Sequence, residues 1–237
     1  MTPYIFKGLI RPERAHLSFG PRSFQFLHTG SKSKAEGRFN IVLNQLTVWI
    51  YTEDDWDLYD LKNAVVEAVN DSVSVIGFLK GYAYEINIIQ VLNDGKKIDF
   101  VFGIDIPCIS ERNKNVNLKE SLLKILNKTS EEYGVFLHRA INDLIMAMKH
   151  PQDTGFYCFR AIESLKHYCR DRYNLQTEAE QWGKVNSITG YDKEYIKIVR
   201  EFALPTRHGD ILPITSKNRD KIFIKTWDVI ESFIDNA

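Results

Sequence analysis

The stretch ISERNKNVN, residues 109–117, is polar, carries both signs of charge and is rich in asparagine. Before it apolar residues recur at every second position, and after it at every third or fourth. A polar segment at which the period changes predicts a linker between two differently built parts.

Working back from it, Tyr84, Ile86 and Ile88 alternate with Glu85 and Asn87 along Tyr82–Leu92. Asn93-Asp94-Gly95 then predicts a hairpin, because such turns need residues that tolerate positive φ, with Ile98–Ile104 as the returning strand. Phe39, Ile41 and Leu43 alternate with Asn40 and Asn44, and Leu46–Tyr51 is β-branched and aromatic. Tyr4–Leu9, His16–Phe19 and Ser23–Leu27 are shorter strand candidates. One helix interrupts them. From Asp57 to Leu79, Leu58, Leu61, Val65, Val69, Val73 and Ile76 keep helical spacing, and Lys80-Gly81 supplies a stop.

Forward of the linker the pattern is helical throughout. Leu118–Leu126 is a short helix, and Thr129-Ser-Glu-Glu132 reads as a capping box for a helix ending at His150-Pro151. Asp153–Tyr173 carries the stripe Phe159, Ile162, Leu165 and Cys169. Thr177-Glu-Ala-Glu180 is a second capping box, stopped near Gly190. Tyr191–Leu204 is predicted to break at Leu204-Pro205, and Lys217–Ile234 closes the chain. Strands followed by helices predict an α+β chain: an antiparallel β-rich domain with one long helix over 1–112, then an antiparallel helical bundle over 118–237.

Lysine plus arginine equal aspartate plus glutamate at 31 each, so no chain-wide basic field exists and any nucleic-acid contact needs a local patch. Cys108, Cys158 and Cys169 make an odd set with no C-x-x-C pair, and the six histidines lack H-E-x-x-H spacing. Neither a metal nor a cofactor is predicted. Cys158 and Cys169 lie about 16 Å apart along one helix, too far to bridge. No apolar run is long enough for a membrane span and no signal-peptide core is visible, so a cytoplasmic location without membrane contact is expected.

The residues that point to chemistry are Arg207-His208-Gly209-Asp210. A guanidinium beside an imidazole combines a phosphate clamp with a proton carrier, the two needs of phosphodiester chemistry. The competing explanation is structural, with the arginine capping helix carbonyls and the histidine packed under a turn. Arg200 lies two turns upstream of His208. On the helix after Asp153, Arg160, Glu163 and His167 share a face beside Ala161 and Ser164. Arg160 and Glu163 are expected to pair at a helix–helix seam facing the Arg207-His208 turn.

Phe-Arg-Ala-Ile-Glu-Ser-Leu (159–165), a later helix ending in arginine and histidine before glycine, and a closing amphipathic helix together resemble the HEPN superfamily over about 118–237. The resemblance implies a four- to five-helix domain acting on RNA as a metal-independent endoribonuclease, often in anti-phage defence or stress systems. It implies a homodimer that brings two arginine–histidine motifs together. Carried onto this chain, His208 is the histidine and Arg207 or Arg200 the arginine, while Arg160, Glu163, His167 and Asp210 shape the pocket. The spacing departs from the superfamily's pattern: Arg200 stands too far from His208, and Arg207 is adjacent to it. The alternative is a non-catalytic HEPN-like module binding RNA, a nucleotide or a partner, the last through the aromatic-rich sheet face. A small-molecule hydrolase using His208 and Asp210 lacks a visible nucleophile.

Overall fold

The computed structural model describes residues 2–27, 32, 34–209 and 214–237. It divides into two compact units, Met1–Ile104 and Asp105–Ala237.

The first unit is one antiparallel sheet with a helix on one face. Its strands are β1 (Tyr4–Arg11), β2 (Phe19–Leu27), β3 (Lys34–Val42), β4 (Gln45–Tyr51), β5 (Glu85–Asn93) and β6 (Ile98–Val101), in spatial order β2-β3-β4-β1-β5-β6. Alternation decides which side is buried. Tyr4, Phe6, Ile10, Phe39, Ile41, Val48 and Ile50 point to one face, where α1 (Leu58–Lys80) lays Leu61, Val65, Val69 and Val73 over them. Asp57 caps α1, accepting from the Tyr59 and Asp60 amides, and Gly81 ends it at φ 67°. The whole apolar run predicted for α1 is helical, including its β-branched end.

Three local readings are corrected. Leu43 and Asn44 are not strand residues. Both have positive φ, 47° and 67°, and form the two-residue turn joining β3 to β4. Asn44 is buried there; its Oδ1 accepts from the Leu17 amide at 2.7 Å and its Nδ2 donates to the Ile10 carbonyl at 2.8 Å. At the β5–β6 turn the left-handed residue is Lys97, at φ 55°, rather than Gly95. His16–Phe19 and Ser23–Leu27 are not two strands: only Phe19 of the first joins, at the start of β2.

The second unit contains α2 (Pro107–Arg112), α3 (Leu118–Thr129), α4 (Gly134–Lys149), α5 (Thr154–Arg172), α6 (Glu178–Thr189), α7 (Lys193–Arg207) and α8 (Ser216–Asn236). The linker reading of 109–117 fails at its start. Ile109 is buried in the helical core, and α2 is clamped to α8 by Arg112, which pairs with Asp228 and, at 2.5 Å, with Glu231. The division falls between Ile104 and Asp105, so α2 belongs with the bundle and not with residues 1–112. A charged surface on a single-turn helix looks like a linker because only one residue in four turns inward. Thr129 likewise caps nothing. It is the last residue of α3, its hydroxyl donates to the Leu126 carbonyl, and α4 starts only at Gly134. The Thr177–Glu180 capping box forms as expected, and Gly190 stops α6 at φ 73°.

α5 is the central helix, burying Cys158, Phe159, Ala161, Ile162, Leu165, Tyr168 and Cys169. Among the described residues no helix is long and apolar enough to cross a membrane.

Candidate functional site

The close crossing of α5 and α7 creates the candidate site. Gly155 permits it: a Cβ there would lie 2.5 Å from the Phe202 carbonyl oxygen, so only glycine lets the two backbones come together. Just beyond this contact lies a recess of about 250 Å³. Phe156, Phe159, Arg160 and Glu163 line it from α5, and Ala203, Leu204 and Arg207 from α7.

α7 does not break at Leu204-Pro205. Pro205 lies inside the helix, which runs to Arg207. Proline removes one amide donor, but the last turn closes without it: the His208 amide donates to the Pro205 carbonyl at 3.0 Å and that of Gly209 to Thr206 at 3.1 Å. Gly209 then leaves the helix at φ 86°. One unbroken helix has a consequence for the arginines. Arg200 and Arg207 are seven residues apart, two turns, and so lie along one side of α7.

Arg160 and Glu163 do not pair with each other. Arg160 makes a two-pronged contact with Asp143 of α4, its Nε 2.9 Å from Oδ2 and its Nη2 on Oδ1. Its guanidinium also lies 5.1 Å from the Phe156 ring and 5.0 Å from that of Tyr157. Asp143 raises the Arg160 pKa above the usual arginine range. Glu163 instead faces Arg207, with 3.9 Å between Oε1 and Nη1. The seam therefore faces the Arg207 end of α7 as expected, but with exchanged partners.

Of the expected site residues, Arg160, Glu163 and Arg207 line one recess. His208 follows Arg207 as the exposed cap of α7, and Arg200 is exposed on the same helix. Asp210 lies outside the described residues. His167 sits a turn beyond Glu163 on α5, its ring 6.3 Å from Phe136 and its buried Nδ1 without a hydrogen-bond partner among the described residues. It does not line the recess. Burial lowers its pKa below the ordinary histidine value, Lys166 and Arg170 add to this, and Glu163 and Asp171 oppose it. With the folded pKa below the unfolded one, the unfolded state takes up protons first as pH falls through the mid-6 range. Stability should therefore drop on acidification below that range, and His167→Phe should flatten this part of a melting-temperature profile against pH. An unchanged slope in the variant would show that His167 does not contribute.

Asp143 was not foreseen, although its signal is legible. It occupies the buried stripe of α4 between Ala140, Leu144 and Ala147, where an acid needs a partner. The cysteines offer no nucleophile. Burial pushes Cys158 and Cys169 up to about 12, and burial with Asp220 does the same for Cys108, so none is a thiolate near neutral pH. Among the described residues no cluster of three His, Cys, Asp or Glu side chains is placed to hold a metal.

Fold and site together define a two-unit α+β protein whose helical unit carries a small recess edged by arginine and glutamate. Residues 4–102 match the N-terminal domain, and residues 122–237 the C-terminal domain, of one family, described as a domain of unknown function, DUF8168. Both of its domains are thus matched, in order, and neither description names the HEPN superfamily. No curated protein and no solved structure matches the chain.

Proposed function

We propose that the helical unit acts on RNA as a metal-independent endoribonuclease of the HEPN kind, with the α5–α7 recess facing the scissile phosphate. The observation that carries this reading is the end of α7, which places Arg207 at the recess and the exposed His208 directly after it. The continuous helix adds Arg200 to the same side, giving two guanidiniums for phosphate oxygens.

In this reaction the 2′-hydroxyl oxygen bonds to phosphorus and the bond from phosphorus to the 5′-oxygen breaks. A 2′,3′-cyclic phosphate and a 5′-hydroxyl result. One proton leaves the 2′-oxygen and another reaches the departing 5′-oxygen. His208 suits either transfer, since an imidazole can both accept and donate a proton, and the His208 of a second copy would perform the other. Arg207 and Arg200 stabilise the charge on the phosphorane. Glu163 holds Arg207 at the recess, and Arg160, fixed by Asp143, forms its wall.

The test is cleavage of single-stranded RNA by the purified chain in excess chelator. His208→Ala should lower the rate about a hundredfold or more with an unchanged melting temperature. Cleavage that survives this substitution, or none by the folded chain, would defeat the proposal. So would sedimentation at micromolar concentration showing only a 27.5 kDa species, because the second proton carrier would be missing.

A further inference from the structure

The face of the first unit's sheet opposite α1 carries side chains that the proposed reaction does not use. Across β3 and β4 the outward residues are Glu36, Arg38 and Asn40 beside Tyr51, Trp49 and Thr47, paired in register. Between β2, β3 and the end of β4 lies a recess of about 520 Å³, lined by Ser23, Gln25, Glu36, Arg38 and Tyr51 among others. This is the scale of a small-ligand site, left open along the sheet.

The charges in it are unequal. The Glu36 carboxylate accepts a hydrogen bond from Gln25 Nε2 at 3.0 Å. Arg38 has no carboxylate within ion-pair distance among the described residues, and its guanidinium lies 5.0 Å from the Trp49 ring centroid. A guanidinium laid on an indole is oriented, yet keeps its edge donors for an anion. Tyr51 is 36% exposed beside it, a ring with a free face. Lys7 is exposed on the same face of β1, two strands from β3 and level with Asn40, about 12 Å from Arg38. A cation with free donors, a stacking ring and a second cation at that distance suit a phosphate, a base and a further phosphate. The polar rim of Ser23, Gln25, Asn40 and Thr47 is unlike the apolar centre of a protein interface.

We propose that this sheet face binds single-stranded nucleic acid. One base stacks on Tyr51, Arg38 takes the adjoining phosphate, and Lys7 takes another along the strand. Neither His208 nor the α5–α7 recess takes part, so binding and cleavage can fail separately.

Fluorescence anisotropy of an end-labelled short oligodeoxythymidylate, which has no 2′-hydroxyl to attack the phosphate, with the full chain at low salt tests this. Arg38→Ala and Tyr51→Ala should each weaken binding about tenfold, the loss of one stacked base or one phosphate contact. Tyr51→Phe should keep it, and Arg38→Ala should also make the salt dependence shallower. Lys80→Ala, at the end of the helix covering the other face, should bind as the parent does. Circular dichroism confirms that each variant is folded. Absence of saturable binding at about 100 µM chain would overturn the proposal, as would unchanged affinity in both the Arg38 and Tyr51 alanine variants. Equal competition by duplex RNA would refute stacking. Stronger competition by uridine monophosphate than by the strand would replace nucleic acid with a free nucleotide.

Discussion

Arg160→Ala is expected to destabilise the helical unit by about 3–5 kcal/mol, because it strands a buried carboxylate. The Asp143 side chain is 4% exposed, whereas that of Arg160 is 35% exposed. The two partners are therefore not equivalent. Without Asp143, Arg160 can still reach water and lie on Phe156 and Tyr157, so Asp143→Ala should cost only about 1–2 kcal/mol. Replacing both by apolar residues should cost less than Arg160→Ala alone, with a coupling of about 1 kcal/mol or more. Urea unfolding followed by far-ultraviolet circular dichroism, where the helices dominate the signal, measures all three. An Arg160→Ala variant within about 0.5 kcal/mol of the parent would mean that Asp143 is hydrated and the contact superficial. The same variant bears on the recess, since Arg160 forms part of its wall.

Arg219→Ala should be at least as damaging, at about 3–6 kcal/mol, from three charge-assisted hydrogen bonds lost together in a mostly buried setting. Its Nε donates to Thr154 Oγ1 at 2.9 Å, and its Nη2 donates to the Ala147 and Met148 carbonyls at 3.1 and 2.8 Å. Those carbonyls belong to the last turn of α4 and have no successor turn to receive them. One guanidinium from the first turn of α8 thus closes α4, fixes the start of α5 and lies 5.1 Å from the Phe223 ring. Burial pulls its pKa below the usual arginine range. Arg219→Lys should recover less than half of the loss, because an ammonium cannot span three acceptors that a planar fork reaches. A lysine variant melting with the parent would show that charge alone suffices there.

Particular elements show how far the sequence could be read. α1 was legible to within a residue or two, because its apolar stripe is continuous and Asp57 and Gly81 bracket it. α5 and α6 were legible for the same reasons, with the Thr177–Glu180 box as a local signal that needs no tertiary partner. Thr129-Ser-Glu-Glu132 has the same residue pattern and caps nothing, because Gly134 begins the next helix. A Cβ at Gly134 would meet the Thr129 carbonyl oxygen at 2.2 Å, so the chain folds tightly back on itself there. Pro205 was misread in the opposite sense. A proline in the last turn forfeits a bond that is weak in any case, and the helix runs past it.

In the candidate site, residue types and helical faces could be read, but partners could not. Arg160 and Glu163 are a permitted pair one turn apart, and spacing alone prefers them. Asp143 wins Arg160 because it is buried and offers both oxygens to a planar fork, leaving Glu163 to Arg207. Period and composition by themselves determined that the chain is α+β, that strands precede helices, and where α1, α5, α6 and α8 run, since each depends on side chains a few residues apart. Only the tertiary structure decided that α2 joins the helical unit, that Gly155 lets α7 close on α5, and that Arg38 and Tyr51 line one recess on the sheet. Those outcomes depend on which buried groups find partners, and those partners are distant in sequence.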